Sequence, residues 1–251
     1  MLVLAMLWRP DPEIRRDLAS RTPVLVYHDV IERRGKDSVW FDCTVDELKS
    51  QLDAMSAAGA TFVSIDELRR GLTGETRLPA KALCITFADG YEGFYRLAWP
   101  ILRERGIATA MFVHTDFVGS KQGRPKMNWD QLRELDRSGL VTVASQTLTH
   151  PSDLSKLKDG TLKRELEGSR RNLEGELGHS VRDMAYPNGK WSPRTRDFAR
   201  ASGYRLAFTE AQRPAETGES ILSVPRWVHT RWRDALRAGR ITGAGRDGAR
   251  P

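Results

Sequence analysis

The chain has 251 residues, 39% apolar and 29% charged, with a formal net charge of +7. That length suits one domain with a full core, and the composition excludes the disordered, fibrous and membrane-spanning classes. Cys43 and Cys84 are the only cysteines, which excludes a disulfide framework and zinc-finger spacing. The charge is unevenly spread: Arg226 to Pro251 carries seven arginines against two aspartates. A basic end of this kind is either an anion-binding arm or a solvated terminus, and its Gly-Ala-Gly-Arg-Asp-Gly-Ala-Arg-Pro ending favours the latter.

In chain order, Met1 to Trp8 is apolar but too short to span a membrane and lacks the basic start of an export signal. Residues 9–20 read as a short charged arm. Pro23 opens a strand over Val24–Tyr27, which runs into His28-Asp29. After a polar loop from Glu32 to Ser38 and the pair Trp40-Phe41, Thr44 and Glu47 have capping-box spacing for a helix that Gly59 stops. Thr61–Val63 is a short strand. Ser64 and Glu67 repeat the capping box before a helix ending near Gly71. Leu83–Phe87 is an apolar, β-favouring run that meets Ala88-Asp89-Gly90, a buried strand ending in a sharp turn. A helical pattern follows from Tyr91 to Arg105, with Pro100 inside it to kink or divide it.

Ile107–Val113 is the next strand, and Phe117–Lys126 an exposed loop. Asn128 caps a helix over 129–137. Val141–Ser145 is a strand that runs into Gln146-Thr147-Leu148-Thr149-His150-Pro151. A helix covers 162–177, and Arg182–Tyr186 is a strand ending in Pro187-Asn188-Gly189. Ser192 caps a helix to Ala201. Tyr204–Phe208 and Ser220–Val224 are the last strands. Strand and helix alternate about seven times, which predicts a parallel sheet wrapped by helices: a (β/α) barrel, or else an open doubly wound sheet. Either places the strand C-termini on one face, so that His28, Asp89, Gln146, His150 and Tyr186 converge.

Four strands thus deliver polar groups at their ends, in the order Tyr27-His28-Asp29, Thr86-Phe87-Ala88-Asp89-Gly90, Ser145 to Pro151, and Tyr186-Pro187-Asn188-Gly189. Together they resemble the polysaccharide deacetylase family, whose motifs read Thr-Phe-Asp-Asp-Gly and Ser-His-Thr-x-x-His-Pro. The early Tyr-His-Asp is similar to the poly-N-acetylglucosamine deacetylase branch, in which the catalytic histidine is permuted to the N-terminal end. The resemblance covers about residues 22–230. It implies a distorted (β/α)7 barrel of the α/β class over residues 21–230, with an arm at 1–20 and a basic, disordered tail at 231–251. It also implies an N-acetylated glucosamine polymer as partner and a divalent transition metal, zinc foremost, as cofactor; relatives of this branch usually act outside the cytoplasm, whereas this chain shows no export signal, which leaves the compartment open. Nothing in the sequence points to a specific nucleic-acid module.

Hydrolysis of an acetamide needs an activated water, a stabilised oxyanion and a proton for the leaving amine, and a metal with three protein ligands supplies the first two. By the resemblance, Asp89 and His150 are metal ligands and Gln146 stands where the first metal histidine belongs. An amide oxygen is a poor zinc ligand. Ala88 stands where the general-base aspartate belongs, and general-base assistance is typically worth about 10²–10⁴ in rate. Asp29 and Glu92 are the nearby carboxylates that would have to substitute. His28 corresponds to the acid for the amine, and the backbone N–H of Tyr186 to the oxyanion contact, although Ala185 replaces an arginine that often precedes this tyrosine. Tyr186, Pro187, Asn188 and Trp191 are the expected sugar contacts, with Trp227 a further aromatic. His114, His179 and His229 carry no motif and read as surface or structural. Two departures at chemical positions imply a weak or inactive hydrolase, or a silent relative that binds glycan or a protein partner.

Overall fold

The computed structural model describes Ile14 and residues 21–242. The arm expected at 1–20 therefore lies almost wholly outside the described residues, as does the tail beyond 242. The main sheet is parallel throughout, in the order β10 (Trp227–Val228), β1 (Val24–Tyr27), β5 (Ala82–Phe87), β6 (Thr109–Val113), β7 (Val141–Ser145), β8 (Asp183–Ala185) and β9 (Leu206–Phe208). β4 (Thr61–Val63) pairs with the first half of β5, and β1 with the second half. The segment 220–224, expected to be a last strand, is a turn with one isolated bridge. Val224 bridges to Phe208, and the chain then reaches β10 beside β1. The result is a curled parallel sheet of eight strands, the architecture of a distorted (β/α) barrel.

Parallel strands need crossover helices, and these wrap the outside. They are α1 (Val45–Ala57), α2 (Ile65–Leu72), α3 (Trp99–Glu104), α4 (Trp129–Arg137), α5 (Asp159–Leu177), α6 (Pro193–Ala201) and α7 (Trp232–Ala238). Thr44 with Glu47, Ser64 with Glu67, and Asn128 with Gln131 form complete capping boxes, so local sequence fixes three helix starts. Pro100 divides its helix as expected: a π-helical turn over Phe94–Ala98 precedes α3, so the missing N–H falls in the first turn, where no partner is required.

Two apolar clusters follow the strand alternation. Along β5, Leu83, Ile85 and Phe87 face the outer layer with the helices, while Ala82 and Cys84 face the barrel interior with Phe112, Met184 and Phe208. The region read as a disordered tail is corrected in part. Over 232–238 it is helix α7, and Ala235, Leu236 and Ile241 are buried in the outer core. Its apolar residues at helical spacing outweigh the arginines, which stay at the surface. A small parallel pair, β2 (Val30–Ile31) with β3 (Cys43–Thr44), holds the base of the loop that contains Trp40. Among the described residues no helix is long and apolar enough to cross a membrane.

Candidate active site

The site lies at the C-terminal ends of β1, β5, β6 and β7. β5 delivers Asp89 through a turn in which Asp89 and Gly90 both take positive φ, 70° and 66°. A left-handed aspartate followed by a left-handed glycine is an uncommon pair, and such strain persists where the surroundings fix it. Here the Asp89 N–H donates to Gln146 Oε1 at 2.8 Å, and Lys126 Nζ donates to the Asp89 carbonyl at 2.8 Å. The Lys126 ammonium also sits 3.4 Å from the centre of the Tyr91 ring. Burial would raise the Asp89 pKa, but His28, His150, Lys126 and His114 around it hold it below the ordinary carboxylate value. Burial lowers Lys126 to about 8 against the pull of Asp89 and Asp29.

β7 delivers the second motif, and a buried carboxylate shapes its loop. Glu165 of α5 accepts from the N–H groups of Leu148 at 3.1 Å and Thr149 at 2.9 Å, and from the Thr149 hydroxyl at 2.8 Å. Ser145 Oγ, 2.9 Å from Ser169 Oγ, accepts from Thr147 N–H. Thr147 and His150 take positive φ, 70° and 54°. His150 Nε2 comes to 3.6 Å from Asp89 Oδ1, so the two expected ligands do converge.

Gln146 decides whether a metal fits between them. Its Oε1 must face the Asp89 N–H, since only the oxygen accepts, so its NH₂ faces His150 Nε2 at 3.2 Å. The amide thus turns its NH₂, a donor and not a metal ligand, toward His150. Among the described residues no group of three or more His, Cys, Asp or Glu side chains is arranged to hold a metal ion. The residues present do not fit the metal centre that the sequence resemblance implies.

Ala88 is fully buried in a small apolar cluster with Val26 and Val228. Of the two carboxylates considered as substitutes for the missing base, Asp29 is buried with Oδ1 unpartnered, and burial raises it to about 6 against Arg124. Asp29 Oδ2 pairs with Arg124 at 3.3 Å, and its Oδ1 lies where a Cβ on Gly93 would meet it at 2.3 Å. Glu92 pairs with Lys121 at 3.2 Å. A nearer charged pair was not foreseen. Arg226, fully buried in the barrel between Phe112 and Phe208, donates to the Thr209 carbonyl at 3.1 Å and lies 3.5 Å from Glu210. His28 sits at the end of β1 with its Nδ1 buried and unpartnered. Burial lowers its pKa, opposed by Asp89 and Glu210 and reinforced by Arg226 and His150.

The expected contacts at the end of β8 differ. Tyr186 is wholly buried, its N–H donates to the Phe208 carbonyl at 3.0 Å and its hydroxyl to the Leu222 carbonyl at 2.9 Å. Ladder pairing with β9 engages the N–H assigned to the oxyanion, and burial removes the ring from any sugar. Pro187 is buried, and Asn188 is exposed with its amide donating to the Ser152 carbonyl at 3.2 Å. Trp191 packs half-buried on the interior cluster, and Trp227 is buried in the outer one.

Two histidines set aside in the sequence belong to the site region. His114, at the end of β6, is buried, with its ring centre 5.3 Å from that of His150 and its Nδ1 unpartnered. Burial and Lys126 push it down to about 4. His229 stacks on Tyr27 at 4.9 Å, and burial and His28 push it to about 4. The signal available was positional: His114 follows an apolar strand, as Asp89 does. His179 is exposed and pairs with Asp136 at 2.7 Å.

The carboxylate, histidines and lysine gather at the strand C-termini, where (β/α) barrels place their active sites. The family model for polysaccharide deacetylase matches residues 75–207, and the chain belongs to that family. Within it the chain groups with the poly-N-acetylglucosamine deacetylases. The poly-beta-1,6-N-acetyl-D-glucosamine N-deacetylase of Escherichia coli O157:H7 is 29% identical over 155 residues, 54% of this chain and 23% of that protein. The enzyme of the same name from Staphylococcus aureus (strain MSSA476) is 21% identical over 199 residues, 74% of this chain and 67% of that one. The structure of IcaB from Ammonifex degensii superposes with a TM-score of 0.76 at 30% identity, covering 88% of this chain and 97% of that one.

Proposed function

We propose that this chain binds an N-acetylated glucosamine polymer in the deacetylase cleft and hydrolyses its acetamides slowly or not at all. The observation that carries the reading is the Gln146 amide spanning the Asp89 N–H and His150 Nε2. It sets a neutral hydrogen-bonded amide beside the two remaining ligand residues where a third metal ligand would be required. Ala88, which cannot accept a proton, stands in apolar contact where a base would be required. Asp29, whose Oδ2 lies 3.3 Å from Arg124 and whose pKa burial raises to about 6, is the remaining carboxylate that could accept a proton, while Glu92 pairs with Lys121 at 3.2 Å. His28 keeps the position of an acid for the leaving amine, but burial lowers its pKa and favours the neutral imidazole, a weaker proton donor than the imidazolium. With Ala88 and Gln146 in place, the expected base and one expected metal ligand are both replaced, which impairs activation of the water.

Free-amine release from β-1,6-linked N-acetylglucosamine oligomers tests this, with zinc, cobalt or nickel added. The chain is run beside an Ala88→Asp, Gln146→His double variant. Release by the variant alone is expected. Comparable metal-dependent release by the unsubstituted chain would overturn the reading. Failure of both would place the loss beyond these two positions and leave binding as the function.

A further inference from the structure

The mouth of the barrel carries two aromatic side chains whose exposure needs an explanation. Trp40 is 65% exposed and Phe117 40% exposed, and with Val39 they are the exposed large apolar residues among those described. Each is joined to the site by a ring-to-ring contact. On one side Trp40 meets Phe41 edge-on at 5.5 Å, and Phe41 meets His28 at 5.0 Å. On the other Phe117 meets His114 edge-on at 5.0 Å, and His114 meets His150 at 5.3 Å.

The loops bearing these rings are fastened together. Arg124, in the loop after Phe117, forms a paired contact with both carboxylate oxygens of Asp42, and its Nη2 donates to the Asp37 carbonyl at 2.8 Å. Asp42 is fully buried and also accepts from Val39 N–H at 2.7 Å. A buried bidentate pair is a demanding way to order a surface loop, because it requires removing a carboxylate from water. Here it fastens the loop that carries the exposed Trp40. β1 and β6 flank β5 in the sheet, so the roots of the two walls stand about 10 Å apart. Asp89 stands at the end of the strand between them.

We infer that Trp40 and Phe117 are the sugar-stacking walls of the cleft, gripping the pyranose faces of a β-linked N-acetylhexosamine chain on either side of Asp89. The axial C–H face of such a ring is apolar and packs on an aromatic plane, while its hydroxyls and acetamides remain available to the polar floor. Rings held rigid before binding lose little entropy on contact. This rests on the glycan-cleft reading above, which assigned stacking to no exposed residue.

Titration calorimetry with a β-1,6-linked N-acetylglucosamine pentamer tests it, using the unsubstituted chain, Trp40→Ala, Trp40→Phe, Phe117→Leu and the double variant Trp40→Ala, Phe117→Leu. Trp40→Ala and Phe117→Leu are each expected to weaken binding about tenfold. Trp40→Phe should retain most of the affinity, and thermal midpoints should stay within about 2 °C because both side chains are surface groups. Pentamer binding by the unsubstituted chain with undiminished binding by both variants overturns this inference and leaves the glycan reading intact. No pentamer binding by any form overturns both. Undiminished pentamer binding with loss of co-sedimentation on phosphatidylglycerol vesicles would make the walls a lipid contact and overturn the inference.

Discussion

Replacing Gln146 with histidine should convert a zinc-indifferent protein into one that zinc stabilises. In the present site a zinc ion would have to displace the Gln146 NH₂ from His150 Nε2 and turn the amide oxygen away from the Asp89 N–H, a bond of 2.8 Å. Breaking that bond costs about 1 kcal/mol, and the group gained is a neutral oxygen that zinc favours little. Gln146→His removes the amide and adds an imidazole on the same strand end, beside a carboxylate and histidine already 3.6 Å apart. A ligand present at a hundred times its dissociation constant stabilises the folded state by about 2.7 kcal/mol. For a domain of this size that raises the thermal midpoint by roughly 5–10 °C. The assay is differential scanning calorimetry of both proteins with zinc and with chelator, at matched ionic strength. A midpoint of the unsubstituted chain that rises with zinc as far as that of the variant would refute the argument from the amide. So would a variant that does not respond.

Other consequences concern how the site is held. Gly93→Ala would bring a Cβ to 2.2 Å from the Val30 carbonyl and 2.3 Å from Asp29 Oδ1, and should destabilise by about 1–3 kcal/mol, read as a lower urea midpoint with an unchanged slope. Glu165→Ala leaves the Leu148 and Thr149 N–H groups without their acceptor, a loss of about 1–3 kcal/mol for each that stays buried. Hydrogen exchange should rise first at those two amides, and unchanged protection there would count against Glu165 as the organiser of the loop. Asp183 is raised to about 6 by burial, against Arg69, Arg182 and Arg205. Its folded value exceeds the ordinary 3.8, so the folded state binds the extra proton and this group's contribution weakens as pH rises through about 6. Asp183→Asn should therefore be more stable than the parent at pH 7 by up to about 3 kcal/mol. The difference should vanish below about pH 4, and urea titrations that give a constant difference would contradict this.

The short-range physics of this chain was legible in order. Thr44, Ser64 and Asn128 announced helix starts, and β-favouring runs ending in Asp89, Ser145 and His28 announced strands with chemistry at their tips, because caps, turns and alternation act between residues a few positions apart. The four strand-end motifs identified the family and hence the barrel. Sequence also fixed that Ala88 can accept no proton and that Gln146 offers an amide in place of an imidazole. Tertiary structure decided what those residues do. The direction of the Gln146 amide depends on an N–H 57 positions away, and the engagement of Tyr186 N–H on the Phe208 carbonyl of β9. The entry of His114 into the site, and the fastening of the Trp40 loop by Arg124, likewise join residues far apart in the chain. A side chain's identity sets which contacts it can make. Which of them it makes depends on which strand tips become neighbours when the barrel closes.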